Sequence, residues 1–372
     1  MRVLQIVKYE LEKNGIVTFV NCALDLIKKD GIEMDVFVPG KIQNQEVKHW
    51  MENNGATVIA GNVRKDSFFR FNAGVKLYSF LKKNKYDVVH INSGDSALLA
   101  TMTVASKLAG NSKVVVHSHG CVNPKGLIKK MAFLLSQKII GKSADVFMAC
   151  SEEAGQSAFS KNIKNVIVLQ NGVDPEKYKH NVEIEKSMRK QYNAENCMII
   201  GHVGSFIKVK NHEFLIDVFE MITNKVSNAK LLLIGDGEER ETIERSVKNR
   251  DLQKNVIFTG NVDDVPLFLQ MMDVFVFPSI KEGTPFACLE AQAAGVPCVL
   301  STGISEETII DPDNVMRLDL SVDKMIWVDT IIKCANCEKK QPISLSGSKY
   351  DVNKMMLTLE NIYKDCVKRG SD

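Results

Sequence analysis

Asp273-Val-Phe-Val-Phe-Pro-Ser-Ile-Lys-Glu282-Gly-Thr-Pro-Phe-Ala-Cys-Leu-Glu290-Ala-Gln-Ala-Ala-Gly295-Val-Pro-Cys-Val-Leu-Ser301 is the stretch on which the reading of the fold turns. Val274–Phe277 is wholly apolar, as a parallel strand covered on both faces should be. Pro278 and Ser279 end it, and a polar loop follows. Thr284 then stands where an N-cap belongs, Pro285 at the first helical position, and Gly295 just past the helix end, with Pro297 beyond. Pro297–Leu300 reads as the next buried strand. The unit is strand–loop–helix–strand, with Glu282 just before the helix and Glu290 near its second turn.

The loop lies beyond the carboxyl end of a parallel strand, where open α/β sheets bind ligands. A helix N-terminus with free N–H groups faces the same place and favours an anion. Carboxylates beside an anion site suit hydroxyl groups, since each accepts hydrogen bonds from a diol. Phosphate plus several hydroxyls describes a nucleotide sugar. The ordinary alternative is one solvated loop Glu and one exposed helix Glu.

The setting Pro278-Ser-x-x-Glu282-Gly-x-Pro285-x-x-x-x-Glu290-Ala-x-Ala-x-Gly295-x-Pro297 resembles the signature of retaining glycosyltransferases of the GT-B fold, family 4. The bare spacing of the glutamates is a weak signal. The string of Gly, Pro and Ala around it is a strong one. The resemblance implies an α/β GT-B fold, two Rossmann-like doubly wound domains facing a cleft. It also implies a donor site that includes Glu282, Gly283, Thr284, Pro285, Phe286 and Glu290, with Glu282 on sugar hydroxyls and Glu290 on the ribose.

The remaining sequence is compatible with this. At 372 residues the chain exceeds one core, so two domains are expected. Apolar content of 45% and charged content of 25% are ordinary for a soluble globular protein. The sequence predicts no membrane span and no signal peptide, so a cytoplasmic location is expected. Nine scattered cysteines fit a reducing compartment. Cys334-Ala-Asn-Cys337 has neither a second pair nor nearby histidines, and reads as a chance pair on a helix.

Charge is uneven. Residues 1–180 carry 25 Lys and Arg against 16 Asp and Glu, a surplus of +9, while the remainder carries −6. No nucleic-acid motif accompanies the surplus, so an anionic membrane face or a phosphorylated acceptor is the expected partner. Two stretches mix Lys or Arg with large apolar residues, Arg64–Phe71 and Lys125–Lys142. Each reads either as a membrane-surface segment or as a core helix with solvated lysines.

The first half alternates strand-like runs (Val3–Val7, Met34–Val38, Asp87–Ile91, Lys113–His117, Asp145–Cys150, Val166–Leu169) with helical patterns such as Val17–Lys29 closed by Gly31, Phe71–Lys83 and Ser96–Leu108. This predicts a parallel, doubly wound sheet. After the polar stretch 174–196 the pattern restarts with Met198–Val203, Leu231–Ile234, Val256–Phe258, Val274–Phe277 and Val299–Leu300. The expected division is 1–180, an acceptor-side domain; 181–348, a nucleotide-sugar-binding domain; and 349–372, a final helix that the resemblance sends back to the first domain.

Smaller motifs fall at strand ends. Lys13-Asn14-Gly15-Ile-Val-Thr-Phe-Val resembles the family's Gly-Gly-x-x-x-Phe loop, with Asn14 for the first Gly and Gly15 approaching the donor diphosphate. Asn tolerates a left-handed backbone, which keeps the match. In His117-Ser-His119-Gly120 the resemblance places His119 at the reaction centre and leaves His117 to packing. Asn171-Gly-Val-Asp174 resembles an interdomain turn. Gly204-Ser205-Phe-Ile-Lys208-Val-Lys210-Asn211 opens a helix as a phosphate loop should. Relatives carry Arg where Ser205 stands and Lys where Lys210 stands. Lys208 has the reach to replace the missing Arg. Gly235-Asp-Gly237 lacks the rest of a dinucleotide fingerprint. Phe258-Thr-Gly260-Asn-Val262 resembles the segment that reads the nucleobase.

The expected activity is retaining transfer of a sugar from a nucleotide diphosphate sugar, UDP above all, to an acceptor hydroxyl. Glu282, His119 and Lys210 are the catalytic candidates. Gly15, Ser205, Lys208 and Val262 join the donor site. No Asp-x-Asp motif sits on these loops, so no divalent metal and no cofactor are expected. The form of the loop resembles bacterial capsule and exopolysaccharide enzymes, whose acceptor is a saccharide, often lipid-linked, and which work at the inner membrane face. Two other readings stay open: a nucleotide-sugar 2-epimerase of the same fold, and a catalytically weak partner subunit.

Overall fold

A computed structural model describes residues 1–368 except 65, 67–68, 111, 121–123, 125, 338–342 and 344, and for 25–30 the backbone only. Lys65, Phe68 and Lys125 of the two basic stretches thus lie outside the described residues. The chain forms two compact units, Met1–Gly172 with the C-terminal helix Val352–Lys368, and Val173–Asp351.

In the first unit strands and helices alternate: β1 (Arg2–Ile6), α1 (Gly15–Asp30), β2 (Glu33–Val38), α2 (Gln45–Asn53), β3 (Val58–Ala60), α3 (Phe69–Leu81), β4 (Val88–Ser93), α4 (Ser96–Ala109), β5 (Lys113–Ser118), α5 (Leu127–Ser143), β6 (Val146–Ala149), α6 (Glu152–Ala158) and β7 (Val166–Val168). The sheet is parallel, in the order β3-β2-β1-β4-β5-β6-β7. Its central strands are covered on both faces, which is why they are mostly apolar, with Gln5, His90, Asn92 and His117 buried among them.

The second unit repeats the plan with α7 (Val182–Gln191), β8 (Met198–Val203), α8 (His212–Thr223), β9 (Ala229–Ile234), α9 (Arg240–Asn249), β10 (Val256–Gly260), α10 (Val265–Met271), β11 (Val274–Phe277), α11 (Phe286–Ala293), β12 (Cys298–Ser301), β13 (Val315–Leu318) and α12 (Lys324–Ala335). Its parallel sheet runs β10-β9-β8-β11-β12-β13. One apolar cluster fills each face.

Three features differ from the sequence reading. The units part at Gly172, not at 180, because Val173 N–H bonds Tyr350 O at 2.9 Å and Tyr178 is buried in the second unit's core. The polar stretch therefore opens the second unit instead of linking the two. Strands β3 and β13 escaped notice because they are three and four residues long, lie at sheet edges and are partly exposed. Pro285, not Thr284, is the N-cap of α11, without a side-chain bond to it; Thr284 is buried. Gly295 does close that helix, at φ +72°. Among the described residues no helix is long and apolar enough to cross a membrane.

Candidate active site

In the second unit β8 and β11 are neighbours, so the loops leaving their carboxyl ends lie side by side. The loop after β8 turns through Ser205 and a 3-10 turn at Lys208–Lys210, and enters α8 through Asn211 at φ +59°. Gly235 and Gly237 lock this loop to the end of β9. A Cβ on Gly235 would stand 2.2 Å from Gly204 O, and one on Gly237 2.6 Å from Phe206 O. These glycines serve a close backbone approach, not a dinucleotide.

The loop after β11 is held from both sides. Ile280 N–H donates to Val209 O at 2.8 Å, and Asn211 Nδ2 to Pro278 O at 3.2 Å. On the other side Glu282 N–H donates to Gly303 O at 3.0 Å, and Thr308 Oγ1 to Gly283 O at 3.1 Å. Gly303 permits this, since a Cβ there would lie 2.2 Å from Ile280 O.

Lys210 Nζ and Glu282 Oε1 meet at 2.8 Å, with 14% and 21% of their side chains exposed, and the ammonium sits 4.5 Å from the centre of the Phe277 ring. Ser205 is half-buried, and Lys208, on the same loop, is exposed. Gly283, Thr284 and Phe286 are buried and Pro285 half-buried. Val262 stands apart from this corner, after β10, three strands along the sheet from β11. Beneath the loop His202 and His212 are buried, and no hydrogen-bond partner is present for His202 Nε2 or for either His212 nitrogen. Burial lowers their pKa values to about 4 and about 2, so both are neutral.

Glu290 is in α11 and accepts a hydrogen bond from Tyr178 at 2.9 Å. Desolvation raises its pKa, opposed by the Tyr178 bond. Tyr178 closes a 3-10 turn, Pro175–Tyr178, capped by Asp174, whose Oδ1 accepts from Glu176 N–H at 3.1 Å. The Asn171-Gly-Val-Asp174 motif thus starts the turn that delivers Tyr178, a residue missed because it stands alone in a polar stretch.

In the first unit Asn14 is extended, at φ −159°, and caps α1 by accepting from Ile16 and Val17 N–H. The left-handed backbone expected of it is absent; the side chain, not the conformation, is what the position uses. Gly15 is the exposed first residue of α1. One turn on, Phe19 packs edge-on against His119, ring centres 5.2 Å apart, and against His117 at 4.9 Å.

His119 heads a buried chain of polar groups. Its Nε2 lies 2.9 Å from Asn92 Oδ1. Asn92 Nδ2 donates to Gln5 Oε1 at 2.8 Å, and Gln5 Nε2 donates to the Tyr363 hydroxyl, Oη, at 2.7 Å. That hydroxyl lies 2.6 Å from His90 Nδ1. Asn92 Nδ2 also faces the Ile6 carbonyl, so its Oδ1 must face His119, whose Nε2 carries the proton. The bare Nδ1 of His119 is then an acceptor. Burial holds the ring's pKa at about 3, which suits a neutral hydrogen-bonding group and not a general acid at neutral pH. His117 is wholly buried and packs ring-to-ring on His119, 3.9 Å between centres. Gln5, His90 and Asn92 could have been noticed as polar residues inside otherwise apolar central strands. Among the described residues no group of three His, Cys, Asp or Glu is placed to hold a metal ion.

Comparison with known proteins bears on the family and the fold. Residues 183–339 match the model of glycosyl transferases group 1, and residues 13–177 that of glycosyltransferase family 4. A putative glycosyltransferase of Bacillus subtilis, EpsF, is 32% identical over 276 residues, 70% of this chain and 71% of that one. The UDP-Gal:alpha-D-GlcNAc-diphosphoundecaprenol alpha-1,3-galactosyltransferase of Escherichia coli is 29% identical over 61% of this chain and 60% of its own length. The crystal structure of Anabaena HepE in complex with UDP-glucose superposes with a TM-score of 0.79 at 16% identity, covering 98% of this chain and all of that one (100%).

Proposed function

This chain belongs to the family 4 glycosyltransferases of the GT-B fold, and from that membership we propose that it moves a sugar from a UDP-sugar, with retention of configuration, to a hydroxyl of a lipid-linked saccharide. The observation that carries this reading is the Lys210–Glu282 pair at the carboxyl edge of the second sheet. Without donor the two charges compensate each other. With donor, Lys210 turns to the diphosphate and Glu282 to the sugar hydroxyls, so each exchanges one partner for another at little cost in unpaired charge. As the sugar–phosphate bond breaks, charge grows on the diphosphate and Lys210 stabilises it. Lys208 is free to approach the same phosphates in place of the Arg that Ser205 replaces. Glu290, oriented by Tyr178, takes the ribose, and Val262 borders the base.

On the first unit Gly15 offers a helix N-terminus to the diphosphate, and His119 offers its bare Nδ1 to a donor hydroxyl. Retention needs no protein nucleophile when the acceptor attacks on the face that the leaving group vacates. The acceptor is proposed from the diphosphoundecaprenol substrate in the name of the E. coli relative, and the donor from that name and from the UDP-glucose bound to HepE. The test is UDP release from a panel of UDP-sugars, with and without bacterial lipid extract. Lipid-dependent release supports transfer. Acceptor-independent formation of an epimerised UDP-sugar, or no turnover with any donor, defeats it.

A further inference from the structure

Helix α5 is built the wrong way round for a helix that serves only its own core. The residues it buries are Ser136, Gln137 and Ile140. Leu127, Ile128, Met131, Leu134 and Leu135 are 76%, 84%, 64%, 61% and 59% exposed. Ordinarily the apolar stripe of a helix faces the core and the polar residues face water. Single exposed apolar residues need no explanation, but five within nine residues form a contiguous patch. A second helix also shows apolar residues to water: α4 packs against both α3 and α5, and α3 exposes Phe71, Val75 and Tyr78 at one-turn spacing.

Between its bounding aspartates, the charge along this segment has one sign. From Asp95 to Asp145 the sequence has no acidic residue between, and it carries seven lysines. Lys129, Lys130 and Lys138 are exposed on α5 itself. An apolar ridge flanked by ammonium groups fits the boundary of an anionic bilayer, where acyl chains take the ridge and phosphates take the lysines. The patch is also at the functional edge. Leu127 is eight residues beyond His119, and the exposed half of α5 is its N-terminal half, nearest the carboxyl end of β5.

We infer that the first two turns of α5 lie in the interface of an anionic phospholipid membrane, which seats the carboxyl edge of the first sheet against the surface from which a lipid-linked acceptor emerges. The acceptor part rests on the function proposed above; the membrane part does not.

The test is flotation of the full chain with vesicles of equal parts dioleoylphosphatidylglycerol and dioleoylphosphatidylcholine, and with vesicles of the phosphatidylcholine alone. Binding to the anionic vesicles only is expected. The triple variant Leu127→Ser, Ile128→Ser, Met131→Ser should lose it by about tenfold or more, with an unchanged melting temperature because these side chains are exposed. A control with Val182→Ser and Leu357→Ser, exposed apolar residues elsewhere, should bind like the parent. Ile128→Trp should show a blue-shifted emission on anionic vesicles. No vesicle binding by the parent chain, equal binding by the triple variant, or sedimentation velocity showing instead a dimer that the triple variant dissolves would each overturn the inference. Vesicle binding without UDP release would defeat the proposed reaction and leave this surface standing.

Discussion

Lys210 Nζ lies 2.8 Å from Glu282 Oε1, joining the ends of two adjacent strands 72 residues apart in sequence. The pair is mostly withdrawn from water, and its carboxylate hangs on a loop that the segment Gly303–Ser305 grips through the backbone. In the function proposed above, the two halves of this pair separate onto different parts of the donor.

Lys210→Ala should therefore cost about 2–4 kcal/mol in kcat/KM, the scale for a preorganised stabiliser of developing charge. Lys208→Ala should cost less, since Lys208 is exposed and anchored by no ion pair among the described residues, and Ser205→Arg should partly restore it. If Lys210 and Glu282 act on different donor groups, the double alanine variant should lose roughly the sum of the single losses in kcat/KM. In urea unfolding the same double variant should lose less than the sum, because there the residues act on each other. Kinetics of UDP release and unfolding curves on one set of variants decide this; a double variant no worse in kcat/KM than Lys210→Ala would refute the division of roles.

Tyr178→Phe leaves Glu290 without its hydroxyl donor. Ribose contacts are alike in ground and transition states, so Tyr178→Phe and Glu290→Gln should raise the donor KM with kcat nearly unchanged. A matching drop in kcat instead would place Glu290 nearer the reacting bond.

Asn92 Oδ1 holds His119 through its Nε2 at 2.9 Å. Asn92→Leu removes the acceptor that selects the tautomer, and should lower kcat about 10- to 100-fold, as loss of alignment does. Asn92→Asp still accepts from His119 but adds a negative charge beside it, which favours the imidazolium. The pH–rate profile of Asn92→Asp should gain an ionisation that the parent lacks, where the His119 pKa is about 3. An unshifted profile together with an unchanged kcat for Asn92→Leu would make the contact merely structural.

Five histidines make stability depend on pH. His90, His117 and His119 in the first unit, and His202 and His212 in the second, have pKa values lowered by desolvation. The folded state binds fewer protons than the unfolded one, whose histidines titrate near 6.5, so the stability is full above that pH and is lost as pH falls toward the lowered values. Each should cost about 1.4 kcal/mol by pH 5.5 relative to neutral pH. Urea unfolding at pH 7.5 and 5.5 should show this, and His117→Gln should flatten the slope for the first unit. Equal stability at the two values would mean that these rings are hydrated or protonated when folded.

Much of the molecule was legible along the chain because its signals are local. Val274–Phe277 had to be an interior parallel strand, since no neighbouring charge breaks the apolar run, and Gly295 had to end α11, since a left-handed residue there favours glycine. Periodicity likewise found α4 and the C-terminal helix Val352–Lys368. Short edge strands such as β3 escaped because three residues carry too little pattern. What only the tertiary structure decided is pairing across distance. Nothing near Glu282 in sequence names Lys210, nor does anything near Glu290 name Tyr178, nor near His119 the chain through Asn92 and Gln5 to Tyr363. Those partners are set by strand order, which places β8 beside β11 and β1 beside β4, and by packing of the last helix on the first unit. The same holds for α5: its sequence fits a core helix and a surface helix equally, and only the fold turned Leu127, Ile128 and Met131 outward, by giving its inner face to Ser136, Gln137 and Ile140.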